Sequence, residues 1–197
     1  VEHVADLLSG AMTLPDKDRE TLRLAARLSQ VGKIFVPREL LTKKGKLTPE
    51  EQAEVMRAPE YAHRILRDMQ FNLPVPEAVF QMGERMDGTG LPQHLAGEAI
   101  NHNARILAVV NAFCAMVSPR SYRAGRQPEE AVGLLMKDQG FDSEIVVALS
   151  QIPAVALQQA IATADEASKK SADTSAPSSQ AAQEKPADAA ADSAPAK

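Results

Sequence analysis

Tryptophan is absent from the 197-residue sequence, and tyrosine and phenylalanine supply only 2 and 5 residues. With so few rings the core has to be aliphatic. The one cysteine has no partner, which excludes a disulfide scaffold or a cysteine-rich zinc module. No run approaches the roughly eighteen apolar residues of a membrane-spanning helix, and no basic-then-apolar leader opens the chain. Neither membrane insertion nor export is expected, and the cytoplasm is the default. An excess of basic charge is missing too. The 22 Lys and Arg stand against 26 Asp and Glu, for a net charge of -4, which argues against a dedicated nucleic-acid binder. What is present, 44% hydrophobic and 24% charged residues, is the composition of a water-soluble globular protein. The sequence begins at Val1 and not at Met, so the expectation is a piece of a longer chain, with room for a receiver or sensory domain upstream.

Apolar residues run out near the C-terminus. From Ala167 to Lys197 there is no Val, Ile, Leu, Met, Phe or Tyr. Such a segment cannot bury enough surface to offset the entropy of ordering its backbone, so 167–197 is expected to be a disordered tail rich in Ala, Ser and Pro. Before it the chain reads as all-α, with a main unit over 1–152 and a terminal helical segment over 153–166. Thr13, Pro15 and Asp16 suggest a helix start, followed by a buried stripe of Leu22, Ala25, Ala26 and Leu28 that extends to Ile34. Thr48 and Glu51 have capping-box spacing, and predict a helix reaching about Met69. After Pro74 and Pro76 the pattern predicts a helix from Glu77 to Met86. A loop rich in glycine and proline follows from Asp87 to Pro92. Ala104 to Val117, apolar nearly all round, predicts a helix in the centre of the fold. Two shorter helices are expected from Pro128 to about Lys137 and, capped by Asp142, to about Leu149.

Several strings resemble the bacterial HD-GYP domains, in the family's own order. Leu24 to Pro37 is similar to the segment in which a His-Asp pair precedes an apolar residue, Gly and Lys. Leu41 to Glu51 is similar to its linker into the next helix. Glu84, Arg85, Asp87, Gly88, Gly90 and Pro92 fit its glycine-rich loop, followed by Leu95, Gly97, Glu98 and Ile100. Ala104 to Met116, then Arg120, Tyr122 and Arg123, fit its buried helix and the Arg-x-Tyr-Arg element after it. The resemblance implies an HD-domain-like helical bundle. It also implies two or three iron or manganese ions and hydrolysis of cyclic di-GMP. A phosphodiester resists attack, so such chemistry uses a metal-held hydroxide and metal charge on the developing oxyanion, with His and carboxylate ligands.

The chain departs from the family at the ligands themselves. Aligned with its motifs, the His-Asp pair falls on Ser29 and Gln30. The His before a proline in the next helix falls on Ala58, the two His before Glu-Arg on Met82 and Gly83, and the Asp of the buried helix on Asn111. Asn111 reads either as a satisfied core amide or as part of a relict pocket. None of His3, His63, His94 or His102 aligns with a ligand position. What the resemblance leaves is an anion site, with Lys33, Arg120 and Arg123 as candidates for phosphate or nucleotide binding. It also leaves the loop of Glu84, Arg85, Asp87, Gly88, Gly90, Leu91 and Pro92, linked in the family to diguanylate cyclase partner domains. Leu91 takes the place of the loop's Tyr. A plain reading of the loop is that Arg85 and Asp87 pair with each other. Cys114 reads as an inert thiol.

The expectation is therefore a catalytically inactive HD-GYP-like module, without metal, that binds signalling proteins or cyclic di-GMP. Two alternatives stand beside it: a residual metal-dependent cyclic di-GMP phosphodiesterase, and a helical interaction or dimerisation scaffold without ligand.

Overall fold

The computed structural model describes residues 1–119 and 124–173, the last ten of these by their backbone alone. All of the regular structure among the described residues is helical; the one β contact is an isolated bridge between Asp87 and Ala96.

Helix α1 (Glu2–Ala11) buries Val4, Ala5 and Leu8, an i, i+1, i+4 stripe. The chain then turns through Thr13, whose φ is 51°. Thr13 thus stays outside the helix start that it was expected to mark, and Pro15 stands at the cap of α2 (Asp16–Leu28) with no side-chain cap bond. Leu22, Ala25 and Ala26 form the buried stripe of α2. Ile34 does not continue it and is 71% exposed. The α period ends at Leu28, and residues Val31–Phe35 wind as a tighter 3-10 turn, so the phase that would have carried Ile34 inward is lost.

A short helix, α3 (Arg38–Thr42), leads to the Thr48 capping box. The Thr48 Oγ1 accepts from the Glu51 N–H at 3.3 Å, and Glu51 Oε2 accepts from the Thr48 N–H at 2.8 Å. Instead of one helix to Met69 there are two, α4 (Pro49–Met56) and α5 (Ala58–Leu66), parted at Arg57. Pro59 lacks an N–H, and its ring crowds the preceding turn, which accounts for the break. Helix α6 (Val75–Phe80) passes into a 3-10 turn, Gln81–Gly83. It stops before Met86 because Glu84 is extended (ψ 158°) and opens the loop.

Helix α7 (His102–Val117), capped by the Asn101 side chain, packs against α1, α2, α6, and also α8 (Pro128–Leu135) and α9 (Ser143–Ser150). Ile106, Leu107 and Phe113 have no exposed surface. Each such side chain contributes about 1.5–3 kcal/mol by burial. Asp142 caps α9 as expected, accepting from the Glu144 N–H at 3.1 Å, and its other oxygen takes the Arg105 guanidinium at 2.8 Å. One carboxylate thus ties the start of α9 to the first turn of α7. The last helix, α10 (Ala154–Asp173), continues as backbone into the segment expected to be a tail; residues 174–197 lie outside the described residues. Among the described residues no single helix is long and apolar enough to cross a membrane, and the apolar pair α9 and α10 bends by 94°.

Candidate functional site

The fold brings the six family ligand positions into two neighbouring groups joined by the Val31–Phe35 turn. The first lies where α2 ends against α7. Ser29, buried, donates through its hydroxyl to the Ala26 carbonyl at 2.9 Å. Gln30 donates from its amide to Ser29 Oγ at 3.2 Å and to Asn111 Oδ1 at 3.3 Å, a link across 81 residues of sequence. Asn111 is half-buried and its amide oxygen is engaged. It lies at the edge of the core and not inside it.

The second group lies where the turn meets α5. Gly32 presses on the Ala58 carbonyl and stands 2.6 Å, measured from where a β-carbon would be, from the Ala62 N–H nitrogen. Only glycine permits that approach. Ala58 is buried beneath it, and Met82 joins the apolar core. At Gly83 a β-carbon would lie 2.8 Å from the Leu91 carbonyl oxygen and 3.9 Å from Pro59. The Leu91 N–H also bonds the Gly83 carbonyl at 3.1 Å, so the glycine-rich loop is seated on the position where the family carries a histidine.

These donors do not fit a centre of two or three iron or manganese ions. Hard cations of that kind take imidazole and carboxylate ligands, whereas the six positions offer a hydroxyl, two neutral amides, a thioether, a methyl group and a hydrogen. The Ser29 hydroxyl donates to the backbone, and the Gln30 NH2 is shared between the Ser29 hydroxyl and the Asn111 amide oxygen. Among the described residues no group of three or more His, Cys, Asp or Glu comes together as a metal cluster would. His3, His94 and His102 are exposed, and His63 stacks on Phe80 with ring centres 4.3 Å apart. Lys33 sits half-buried on the 3-10 turn, its N–H bonded to the Gln30 carbonyl. Arg120, Tyr122 and Arg123 lie outside the described residues.

The loop after Gly83 is rigidly built. Glu84, 4% exposed, accepts from the Gln93 N–H at 2.6 Å and the Leu95 N–H at 3.0 Å. Gly90 lies against the Glu84 and Arg85 backbone with no room for a side chain. Arg85 pairs with Asp87 at 3.8 Å, as the plain reading had it, but also pairs with Asp138 and lies 5.1 Å over the Phe141 ring. The Thr89 hydroxyl and N–H both donate to Asp87 and hold its carboxyl below the usual carboxylate range. Leu91–Pro92 is a cis peptide. Cys114 rests against the core, and burial pushes its thiol up, consistent with low reactivity.

Two features escaped the sequence reading. Glu84 and Gln81 are buried loop anchors; Gln81 accepts from the Asn101 N–H at 2.7 Å. Polar residues inside an apolar stretch just before a glycine-rich loop were the available signal. The second is a surface cluster of Phe35, Tyr61, Arg64 and Ile65 lining a cavity of about 280 Å³. Tyr61, Arg64 and Ile65 share one helix face, but Phe35 lies 26 residues before Tyr61, so the sequence did not show that they meet.

The HD domain family model matches residues 1–145. The chain is similar to the cyclic di-GMP phosphodiesterase response regulator RpfG of Xanthomonas campestris pv. campestris (strain 8004), being 35% identical over 153 residues, 76% of this chain and 40% of the relative. It is also similar to the cyclic di-GMP phosphodiesterase PA4108 of Pseudomonas aeruginosa, 36% identical over 140 residues, 70% of this chain and 34% of that protein. It therefore spans less than half the length of these curated relatives. Among solved structures, Bd1817, described as a HDG"Y"P protein from Bdellovibrio bacteriovorus, shares the fold with a TM-score of 0.63. That match has 22% identity over 77% of this chain and 51% of the other. With the family model spanning most of the chain, the collinear motifs and the helical bundle agreeing with it, this chain belongs to the HD-domain family as a HD-GYP-like member.

Proposed function

We propose that this chain is a catalytically inactive HD-GYP-like module that works by binding, in cytoplasmic signal transduction related to cyclic di-GMP. The observation that carries this reading is the chemistry of the six ligand positions. They meet in the fold, yet they supply neither an imidazole nor a carboxylate, and Ser29, Gln30 and Asn111 hydrogen-bond to one another or to the backbone. Losing one partner of a metal ligand typically costs about 10 to 100-fold in affinity or activity, and here six ligands have changed at once. The names of the relatives point to a cyclic dinucleotide as the small molecule to try first. Lys33 with Arg120 and Arg123 would hold its phosphates, since an arginine fork binds phosphate without a metal. The loop from Glu84 to Pro92, held by Glu84 and Arg85, would present a fixed surface to a diguanylate cyclase domain.

Metal analysis of the purified chain after loading with iron(II) or manganese(II), combined with calorimetric titration of cyclic di-GMP, tests the reading. The expected outcome is no stoichiometric metal, with nucleotide affinity, where present, lost on reversal of Lys33, Arg120 and Arg123 to Glu. Retention of two equivalents of metal through gel filtration would favour the residual phosphodiesterase instead.

A further inference from the structure

Two large apolar side chains stand out in solvent on the Val31–Phe35 turn, Ile34 at 71% and Phe35 at 57% exposure. Phe35 does not stand alone. The Phe35 ring meets Tyr61 of α5 with centres 5.8 Å apart, and Phe35, Tyr61, Arg64 and Ile65 enclose a cavity of about 280 Å³, the size of one large side chain with room to spare. Exposed apolar surface gathered around a cavity is costly to leave in water and commonly marks a contact surface. Aromatic residues and arginine are the types that dominate such contacts.

The charges at the rim select the partner. Arg57 lies 5.1 Å over the outer Tyr61 ring, but it is already matched by Glu54 and Glu60. The Tyr61 hydroxyl donates to Glu54 at 2.8 Å, which fixes the ring. Arg64, which lines the cavity itself, is exposed, and no carboxylate among the described residues pairs with it. With Glu54 and Glu60 engaged by Arg57, the open charge in the cavity wall is the positive one of Arg64, in a chain whose net charge is -4.

From this we infer that the face formed by Phe35, Tyr61, Arg64 and Ile65 is a docking site for an acidic segment of a protein partner. That segment places one large apolar side chain in the cavity and a flanking carboxylate on Arg64. No residue of this face is among the six ligand positions, so the docking site stands whether or not the chain hydrolyses a nucleotide.

Selection of a random linear-peptide phage library on the whole chain, followed by fluorescence anisotropy with the enriched peptides, tests it. The expected sequences carry Leu, Ile, Phe or Met beside Asp or Glu. Their affinity falls at least about tenfold for Phe35→Glu and for Arg64→Glu, and is unchanged for Val155→Asp on the exposed face of α10. Both altered residues are exposed, and circular dichroism checks that each variant keeps its helices; Phe35→Ser serves if Phe35→Glu does not. No enrichment, enrichment of basic or uncharged peptides, or acidic peptides indifferent to both variants would overturn the inference. A concentration-dependent dimer in analytical ultracentrifugation that Phe35→Glu dissolves would overturn it as well, by making a second copy the occupant.

Discussion

At the residue scale, the positions that the resemblance gives to metal ligands hold contacts within the chain itself. The Gln30 amide spans to Asn111, and the Leu91 carbonyl stands where a β-carbon on Gly83 would need space. Restoring the family's side chain here meets backbone, which cannot swing aside as a flexible side chain would. Gly83→His should therefore lower stability by about 1–3 kcal/mol, the usual cost of overpacking. A domain of this size would show that as a fall of several degrees in Tm by differential scanning calorimetry. An unchanged Tm would mean that the loop yields freely. Sequence pattern identified which residues occupy these positions, because each sits inside a recognisable motif. It could not reveal that the Gln30 amide donates to Asn111, since the two are 81 residues apart. Nor could it reveal Glu84 as an anchor. Removing its carboxylate leaves the Gln93 and Leu95 N–H groups without their acceptor. Glu84→Ala should cost about 2–3 kcal/mol and speed amide exchange at those two positions by NMR before the rest of the molecule.

At the element scale, local chemistry was most legible where a cap fixes the start of a helix. The Thr48–Glu51 box and the Asp142 cap both formed as their spacing predicts, because each needs only residues within one turn. Helix ends were less legible. The turn after Leu28, the break at Arg57 and the early stop of α6 each depend on what the chain packs against. Glu51 also carries a pH signature. The Lys43 ammonium reaches its oxygens at 2.7 and 2.5 Å, and together with the Thr48 N–H it holds the Glu51 carboxyl below the ordinary carboxylate value. A depressed folded value means that this contribution is present above the unfolded Glu value of about 4.3. It is lost as the pH falls through the folded one. A carboxyl carbon-13 titration should place the Glu51 midpoint below that of free glutamate, and Lys43→Ala should move it up. A midpoint at the free value would remove the linkage.

At the scale of the whole molecule, an apolar central helix and a set of collinear motifs were enough to recover an HD-domain bundle, since both depend on pattern spread along the chain. The surface that could engage a partner was not recoverable in the same way. Ile34 reads in sequence as a core residue and lies instead in solvent beside Phe35, because a 3-10 turn reset the phase. The molecule that results is an HD-domain bundle that sets side-chain hydrogen bonds and backbone at the positions the resemblance gives to ligands, and exposes an apolar face carrying Arg64. The claim that binding has replaced catalysis is tested most directly by incubating the chain with cyclic di-GMP and iron(II) or manganese(II) under anaerobic conditions and following linear dinucleotide by chromatography. The account predicts product no faster than in buffer with metal alone. Turnover that scales with protein concentration and stops on addition of a chelator would contradict it.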